Sequence, residues 1–160
     1  MTTTSARLAS FVDVNVVAEL IDAAWAEQLD ARGGSLLHAT ASRTGTSQER
    51  AAAALTNDTY TVWLGTIDNT PIGYGVARRD HLSNGDFLAV IEDLFVLPDA
   101  RAIGVGEDLA TAITQWATEH HCIGIDAVAL PGNRHTKNFF EMLGLTARAI
   151  VVHKSLRTAP

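Results

Sequence analysis

The chain has 160 residues, of which 47% are hydrophobic and 19% charged, a balance typical of a folded globular domain and not of a disordered chain. Eighteen Asp and Glu residues outnumber twelve Lys and Arg residues, and the formal net charge of −6 disfavours general binding to nucleic acid phosphates. The single cysteine, Cys122, excludes an internal disulfide, and the six histidines lack zinc-site spacing, so we expect no metal site.

The length is that of one domain, which we place over residues 1–160. The first residues do not resemble a signal peptide, and no apolar run reaches the length of a membrane span. We therefore expect a soluble cytoplasmic protein with no membrane partner.

The first regular pattern is helical and begins at about Asp13, a plausible N-cap. Apolar residues recur there at three- and four-residue steps, at Val16, Val17, Leu20, Ile21, Ala24, Trp25 and Leu29. The segment 32–34 contains two glycines and is expected to end this helix. A second helix is predicted over 47–55, which is rich in alanine.

Strand signals follow these helices. Aromatic and β-branched residues over 60–67, a turn cluster over 68–71 and a return strand over 72–77 predict an antiparallel hairpin. A long apolar strand is predicted over 87–97, after a second turn at 82–86.

The second half of the chain alternates between helix and strand. We predict an amphipathic helix over 104–120, a buried strand over 122–130, a helix over 135–143 and a final strand over 147–156. The whole order predicts an α/β (α+β) fold, in which helices flank a mixed central sheet.

Two glycines, Gly104 and Gly106, lie where the long strand gives way to a helix. Glycine lets the backbone approach a ligand closely, and the first turn of a helix offers free N–H groups to an anion such as a phosphate. A tight turn whose glycines serve only packing remains an alternative. The position of Leu109 does not fit a Rossmann fingerprint, and Glu107 does not fit a P-loop.

The wider segment resembles the central motif of the GNAT superfamily of acyl-CoA-dependent N-acyltransferases. In that motif a strand ends in apolar-Val-x-Pro and is followed by Arg-x-x-Gly-x-Gly, which are residues 95–98 and 101–106 here. Asn133 and the Leu-Gly pair at 143–144 match a second family element. The segment 91–96 is closest to the spermidine/spermine (diamine) and thialysine acetyltransferase branch.

The resemblance implies that acetyl-CoA is the co-substrate. Backbone N–H groups of the glycine turn would bind its pyrophosphate, namely those of Arg101, Ala102, Ile103, Gly104, Val105 and Gly106. The strand edge at Leu94, Phe95 and Val96 would pair with the pantetheine arm, and a backbone amide in this stretch would polarise the thioester carbonyl. This pairing requires the central strands to splay apart after Val96, and Asn133 would contact the cofactor from the next strand.

Glu92 is the best candidate for a catalytic base in the transfer of an acetyl group to a primary amine. Its apolar strand neighbours predict a raised pKa, and the resemblance implies that this Glu contacts the amine. An exposed or salt-bridged carboxylate is the alternative. Asp93 is expected to face the opposite side of the sheet in a structural role, because neighbouring strand residues alternate. Glu27 could attract a cationic amine, but such a residue is more often simply solvated.

Phe140 stands where many members of the family carry a tyrosine as general acid. Phe140 can pack near the cofactor sulfur but cannot donate a proton, so water, another group or unaided departure of the thiolate must replace that acid. A catalytically weak or inactive acyl-CoA-binding sensor, or a partner-binding protein, is therefore the second hypothesis. The acceptor is expected to be a small-molecule or protein amine, and a homodimer is expected because many members of this family pair.

Overall fold

The structure, a computed structural model, describes residues 1–40 and 43–158 and contains a five-stranded sheet. Its strands lie side by side in chain order: β1 (Thr4–Leu8), β2 (Tyr60–Ile67), β3 (Thr70–His81), β4 (Phe87–Val96) and β5 (Cys122–Ala127). The first four strands are antiparallel to their neighbours, and β5 runs parallel to β4. The sheet is therefore mixed, as the sequence predicted.

Helices cover both faces of this sheet. They are α1 (Val14–Leu29), α2 (Gly34–His38), α3 (Ser47–Thr56), α4 (Val105–Glu119) and α5 (Arg134–Met142). The apolar stripe of α1 packs with α3 against one face, where Leu64 and Tyr74 are buried. On the other face, Leu109 and Ile113 of α4 are fully buried beside Phe140 of α5. Each such side chain contributes roughly 1.5–3 kcal/mol through burial.

The longer elements agree with the sequence prediction, whereas two short ones were missed. The strand β1 pairs with β2 in antiparallel register, from Thr4 opposite Ile67 to Leu8 opposite Trp63. The helix α2 follows directly after the predicted end of α1. Both elements have only five residues, too few to display a period.

The predicted final strand over 147–156 is wrong. These residues form no strand and are exposed, with Ile150, Val151, Val152 and Leu156 between 83% and 94% accessible. A β-branched segment becomes a strand only where a partner strand satisfies its backbone. We call residues 146–158 the C-terminal arm.

The strand predicted over 122–130 is shorter than expected and ends at Ala127. Its register with β4 runs from Phe87 opposite Cys122 to Ile91 opposite Ala127. Residues from Val128 onward turn away from β4 toward α5, so the edge of β4 beyond Ile91 is unpaired on this side. The expected splay of the central strands is confirmed, but it begins after Ile91 and not after Val96.

The helices are short, with 16 residues in α1 and 15 in α4. In the described part of the chain, no helix combines the length and the apolar character needed to cross a membrane.

Candidate active site

The gap between β4 and the chain after β5 forms a cleft. Four of the predicted site residues meet in it: Glu92, Leu94, Asn133 and Phe140. The other lining residues come from α1, α2, the connection to α3, β4, the turn after β5 and α5: Gln28, Leu37, Arg43, Ile91, Asp93, Val128, Leu130 and Thr136. The splayed strands thus bring distant parts of the sequence to one place.

The glycine turn presents free backbone amides at the start of α4. The N–H of Arg101 already donates to the carbonyl of Pro98 at 3.3 Å, and helical bonding begins with Asp108 N–H to Gly104 O at 3.0 Å. Within the described residues, the six N–H groups from Ala102 to Glu107 have no hydrogen-bond partner. The free amides are therefore shifted by one residue from the expected set 101–106, and they suit an anion.

The two glycines of this turn have different roles. Gly104 has a φ of +106°, a conformation that L side chains rarely adopt, and it precedes the first helical residue. A Cβ on Gly106 would lie 3.1 Å from the ring of Phe139, so this glycine makes room for α5 against α4. Gly104 shapes the turn that carries the free amides, and Gly106 fits the packing alternative.

Arg101 braces the turn with its side chain. Its Nε donates to the carbonyl of Val96 at 2.9 Å, and its Nη2 lies 2.5 Å from Oε2 of Glu27 on α1. The guanidinium also lies over the ring of Phe95. Glu27 is thus ion-paired and not freely solvated as expected, and the Val96 carbonyl on the predicted cofactor edge is already engaged.

A β-bulge places Glu92 and Asp93 on the same side of the sheet. Val76 pairs with Asp93 and Ala77 pairs with Ile91, which leaves Glu92 as an extra residue in β4. The Arg43 guanidinium contacts Oδ1 of Asp93 at 2.7 Å, the carbonyl of Glu92 at 2.6 Å and the Glu92 carboxylate at 3.9 Å. The expectation that Asp93 faces away from Glu92 is therefore wrong, because the bulge interrupts the alternation.

The carboxylate of Glu92 has cationic neighbours. Arg78 contacts it directly, Arg43 lies near it, and its side chain is only 15% exposed. The apolar surroundings on which the pKa prediction rested are therefore not found at the carboxylate. The alternative, in which the Glu92 carboxylate forms a salt bridge, is therefore the one found in this structure.

Asp93 anchors a buried polar cluster behind the cleft. It forms ion pairs with Arg43 and with Arg50, which approaches it at 3.8 Å. Burial raises the pKa of Tyr74 well above its usual value, and the charge of Asp93 and a hydrogen bond with it act in the same direction. Tyr74 therefore stays protonated, and Asp93 has the structural surroundings expected for it.

His38 and Trp25 form the helical side of this cluster. Their rings stack at a centroid distance of 4.8 Å, and Nε2 of His38 is hydrogen-bonded to Gln28 at 2.7 Å. Burial and, to a smaller extent, the charges of Arg43 and Arg50 lower the pKa of His38 to about 4, against the opposing charge of Asp93. The ring is therefore neutral at physiological pH.

Sequence reasoning missed Arg43 and His38 as site residues because nothing in their local pattern marks them. One indirect signal was available. Two adjacent carboxylates, Glu92 and Asp93, lie within an apolar strand, and buried carboxylates need cations beside them. That need predicts an arginine partner but does not say which one.

A sequence profile of the acetyltransferase (GNAT) family matches residues 19–145. The chain belongs to this family. It is 30% identical over 98 residues to the aminoglycoside N(6')-acetyltransferase type 1 of Salmonella typhimurium, which covers 58% of this chain and 68% of the relative. The corresponding enzyme of Salmonella enteritidis matches equally well.

Solved structures share the fold. The aminoglycoside N-acetyltransferase AAC(6')-Iy in complex with CoA has a TM-score of 0.75 and 18% identity, over 99% of this chain and 97% of the other. A tetramutant of the BH1408 protein from Bacillus halodurans has a TM-score of 0.80 and 21% identity, over 94% of this chain and 99% of the other. At such identities the likeness shows the GNAT fold alone.

The acetyltransferase is an acetyl-CoA-dependent N-acyltransferase, as the resemblance implied. Two features of the chain suit this co-substrate: the free amides at the start of α4 suit a pyrophosphate, and the open edge of β4 suits an extended amide-bearing arm. The two Salmonella relatives are aminoglycoside N-acetyltransferases, so the placement in the spermidine/spermine and thialysine branch is not confirmed.

On the α5 side of the acetyltransferase cleft, residue 140 is a phenylalanine and therefore has no hydroxyl group. Phe140 is 7% exposed and lines the cleft. Asn133 caps α5, since its Oδ1 accepts from the backbone N–H of Thr136 at 3.2 Å, which leaves its amide nitrogen for a ligand. Lys137 forms an ion pair with Glu141, one turn along α5. Proton donation to the departing thiolate therefore has no obvious source among these α5 residues.

Proposed function

We propose that this acetyltransferase acetylates a primary amine of a small molecule by direct attack, with Glu92 as the general base. The observation that carries this proposal is the bulge, which places the Glu92 carboxylate in the cleft where the edge of β4 becomes free. The names of the relatives support a small-molecule acceptor, since aminoglycosides are small-molecule amines.

The proposed chemistry balances as follows. An alkylamine is mostly protonated at neutral pH, and Glu92 accepts one proton from the ammonium group. The freed nitrogen forms a bond to the thioester carbonyl carbon, the carbon–sulfur bond breaks, and its electron pair leaves with the sulfur. The nitrogen loses a second proton as the amide forms, so that one of its two protons ends on the thiolate and the other in water, by way of Glu92; Phe140 takes no part in this transfer.

Glu92→Gln tests the role of the base. The amide cannot accept a proton at neutral pH, so kcat/KM for the acceptor should fall by roughly 10²- to 10⁴-fold while acetyl-CoA still binds. Glu119→Gln, at an exposed position near the end of α4, is the matched control and should keep wild-type kinetics. Near-wild-type turnover of Glu92→Gln between pH 6 and pH 9 would remove Glu92 from the mechanism.

A second candidate function is favoured by Phe140, which leaves the cleft without the usual acid. The chain would then bind acyl-CoA as a sensor or a partner-binding protein and acetylate slowly or not at all. Calorimetric titration with acetyl-CoA, followed by a thiol-release screen over polyamines, aminoglycosides and peptide amines, separates the two. Tight binding without thiol release from any acceptor supports the sensor. The same screen tests the polyamine branch and a protein acceptor.

We also propose that the protein is a homodimer. The C-terminal arm supports this, because its apolar side chains are exposed while the outer edge of β5 is unpaired among the described residues. A cytoplasmic location stays a proposal, supported by the lone Cys122, which has no internal disulfide partner.

A further inference from the structure

Arg78 on β3 lies between two carboxylates. Its Nε and Nη2 approach the two carboxylate oxygens of Asp80 at 2.8 and 3.2 Å, while Nη1 contacts Oε1 of Glu92. The side chains of Arg78 and Asp80 are 30% and 38% exposed, whereas that of Glu92 is 15% exposed. Arg78 and Asp80 are therefore partly exposed to solvent.

The sheet geometry explains why these three groups meet. Arg78 and Asp80 are two residues apart on β3 and therefore share a face. Arg78 lies opposite Val90, close to the bulge at Glu92 on the adjacent strand. The bulge turns Glu92 toward this face, where Arg78 meets it.

We propose that Arg78 is a specificity-determining residue that occupies the amine position at Glu92 as an internal cation. This inference rests on the proposed function, because it takes Glu92 as the group that receives the acceptor. An incoming ammonium needs the carboxylate that Arg78 now contacts, so Arg78 has to withdraw. Asp80 lowers the free-energy cost of that withdrawal, since its two hydrogen bonds with Arg78 keep the displaced guanidinium paired.

The local charge balance gives the chemical class of the acceptor. The ion pairs around Glu92 join three guanidiniums and three carboxylates: Arg43, Arg50, Arg78, Asp80, Glu92 and Asp93. His38, packed behind them, is neutral at physiological pH. The first ammonium therefore meets a site without excess negative charge, and a second positive charge on the acceptor would approach the displaced Arg78. The site favours an amine whose remaining substituents are neutral or anionic over a polycation.

Three acceptors of equal length test this class: butylamine, 1,4-diaminobutane and 4-aminobutyrate. They carry a neutral, a cationic and an anionic far end, respectively. Wild-type kcat/KM should be lowest for the diamine. Arg78→Gln should raise kcat/KM of the diamine relative to butylamine by about three- to tenfold, mainly through KM, and lower the relative value for 4-aminobutyrate. Asp80→Asn should change the same ratio in the opposite direction, because the site then keeps the positive charge of Arg78 and loses the negative charge beside it.

Arg79→Gln is the matched control. It removes the same charge from the next residue of β3, which lies over Phe87 and donates to the carbonyl of His120. The acceptor ratios should stay within about twofold of wild type in this variant. If the screen finds only an acceptor larger than these three amines, the amines are assayed instead as competitive inhibitors of that acceptor. The same ratios are then calculated from their inhibition constants.

The outcomes separate this inference from the proposed function. If Arg78→Gln lowers kcat equally for all acceptors and leaves their ratios unchanged, Arg78 is only a structural brace and the inference is overturned. Equal changes in Arg78→Gln and Arg79→Gln would overturn it as well, since net charge alone would explain them. If no amine releases thiol from acetyl-CoA, the proposed function fails first and this inference fails with it.

Discussion

Glu92 and Asp93 are sequence neighbours that share one guanidinium, that of Arg43. In a regular strand they would point to opposite faces, and one of the two would be remote from the cleft. The single extra residue in β4 brings both to the α1 side, where Asp93 is buried with arginines and Glu92 reaches the cleft. Asp93 therefore fixes the position of Arg43, whereas Glu92 lies in the cleft and is held there by Arg78.

The buried His38 should make stability depend on pH. Its pKa is lowered to about 4 in the folded chain, from a usual value of 6.5, mainly by burial. Between these values the unfolded chain binds a proton that the folded chain does not. The contribution of His38 is thus fully present above pH 6.5 and is lost as the pH falls toward 4. The loss should amount to roughly 2–3 kcal/mol.

Chemical denaturation of the wild type and His38→Gln at pH 7.0 and pH 4.5 measures this loss. The variant should have lower stability at pH 7.0 but a smaller decrease between the two values. His135→Gln, at an exposed histidine of α5, should keep the wild-type decrease. The lowered pKa of Asp13, about 2 through its hydrogen bond with Arg7, acts below this window. An equal decrease in all three proteins would contradict the assignment to His38.

Among the helices and strands, the length of each element decided whether the sequence could predict it. The helices α1, α3, α4 and α5 were found within about two residues of their ends, because each shows several turns of apolar periodicity or clear caps. The strand β1 depends on its pairing with β2, and the C-terminal arm lacks a strand because it pairs with no other strand among the described residues. Both outcomes are set by neighbours, which local propensity does not contain.

The turn before α4 is the element whose function was clearest in the sequence, and Gly104→Ala tests it. A side chain at a φ of +106° strains the backbone, at a cost of about 1–3 kcal/mol, and displaces the amides that follow. Acetyl-CoA affinity should fall by about tenfold or more in calorimetric titration. Gly85→Ala is the control, because Gly85 has a φ of +94° in a turn with nothing within 4 Å of its Cβ position. Gly85→Ala should lose similar stability and keep its affinity; equal affinities in both variants would argue against the turn as the anion site.

For the whole molecule, the sequence predicted the fold class, the order of the main elements and the opening between the central strands. The opening arises because β5 ends at Ala127. The sequence did not predict this end, since the apolar run continues to Leu130. The charges of the cleft were not predictable, since Arg43 and Arg78 meet Glu92 only after the sheet and its bulge have formed. A single sequence therefore predicts a candidate cofactor site more readily than the chemical class of the acceptor.

The C-terminal arm and β5 have complementary unsatisfied surfaces. Within the described residues, β5 pairs only with β4, and Ile123 and Val128 are 63% and 65% exposed. The arm begins beside β5, where Arg148 contacts Asp126, and then runs exposed with Ile150 and its two following valines. An uncovered apolar edge tends to pair with another chain, and reciprocal exchange of two arms closes into a symmetric dimer.

A cysteine scan tests this exchange, because Cys122 in β5 is the chain's single natural thiol. Cysteines introduced one at a time over 149–153 should give disulfide-linked dimers at one position, or at two positions that are two residues apart, because the Cα atoms of the two cysteines must lie within about 7 Å and alternate side chains of a strand share a face. The cross-links should vanish in a Cys122→Ser background. Internally linked monomers would instead show that the arm folds back onto its own β5.

Light scattering gives an independent measure of the oligomeric state. Val151→Asp should yield monomers, whereas Val12→Asp, at an equally exposed position far from β5 in the sequence, should remain dimeric. A wild-type chain that is monomeric at micromolar concentration would refute the homodimer.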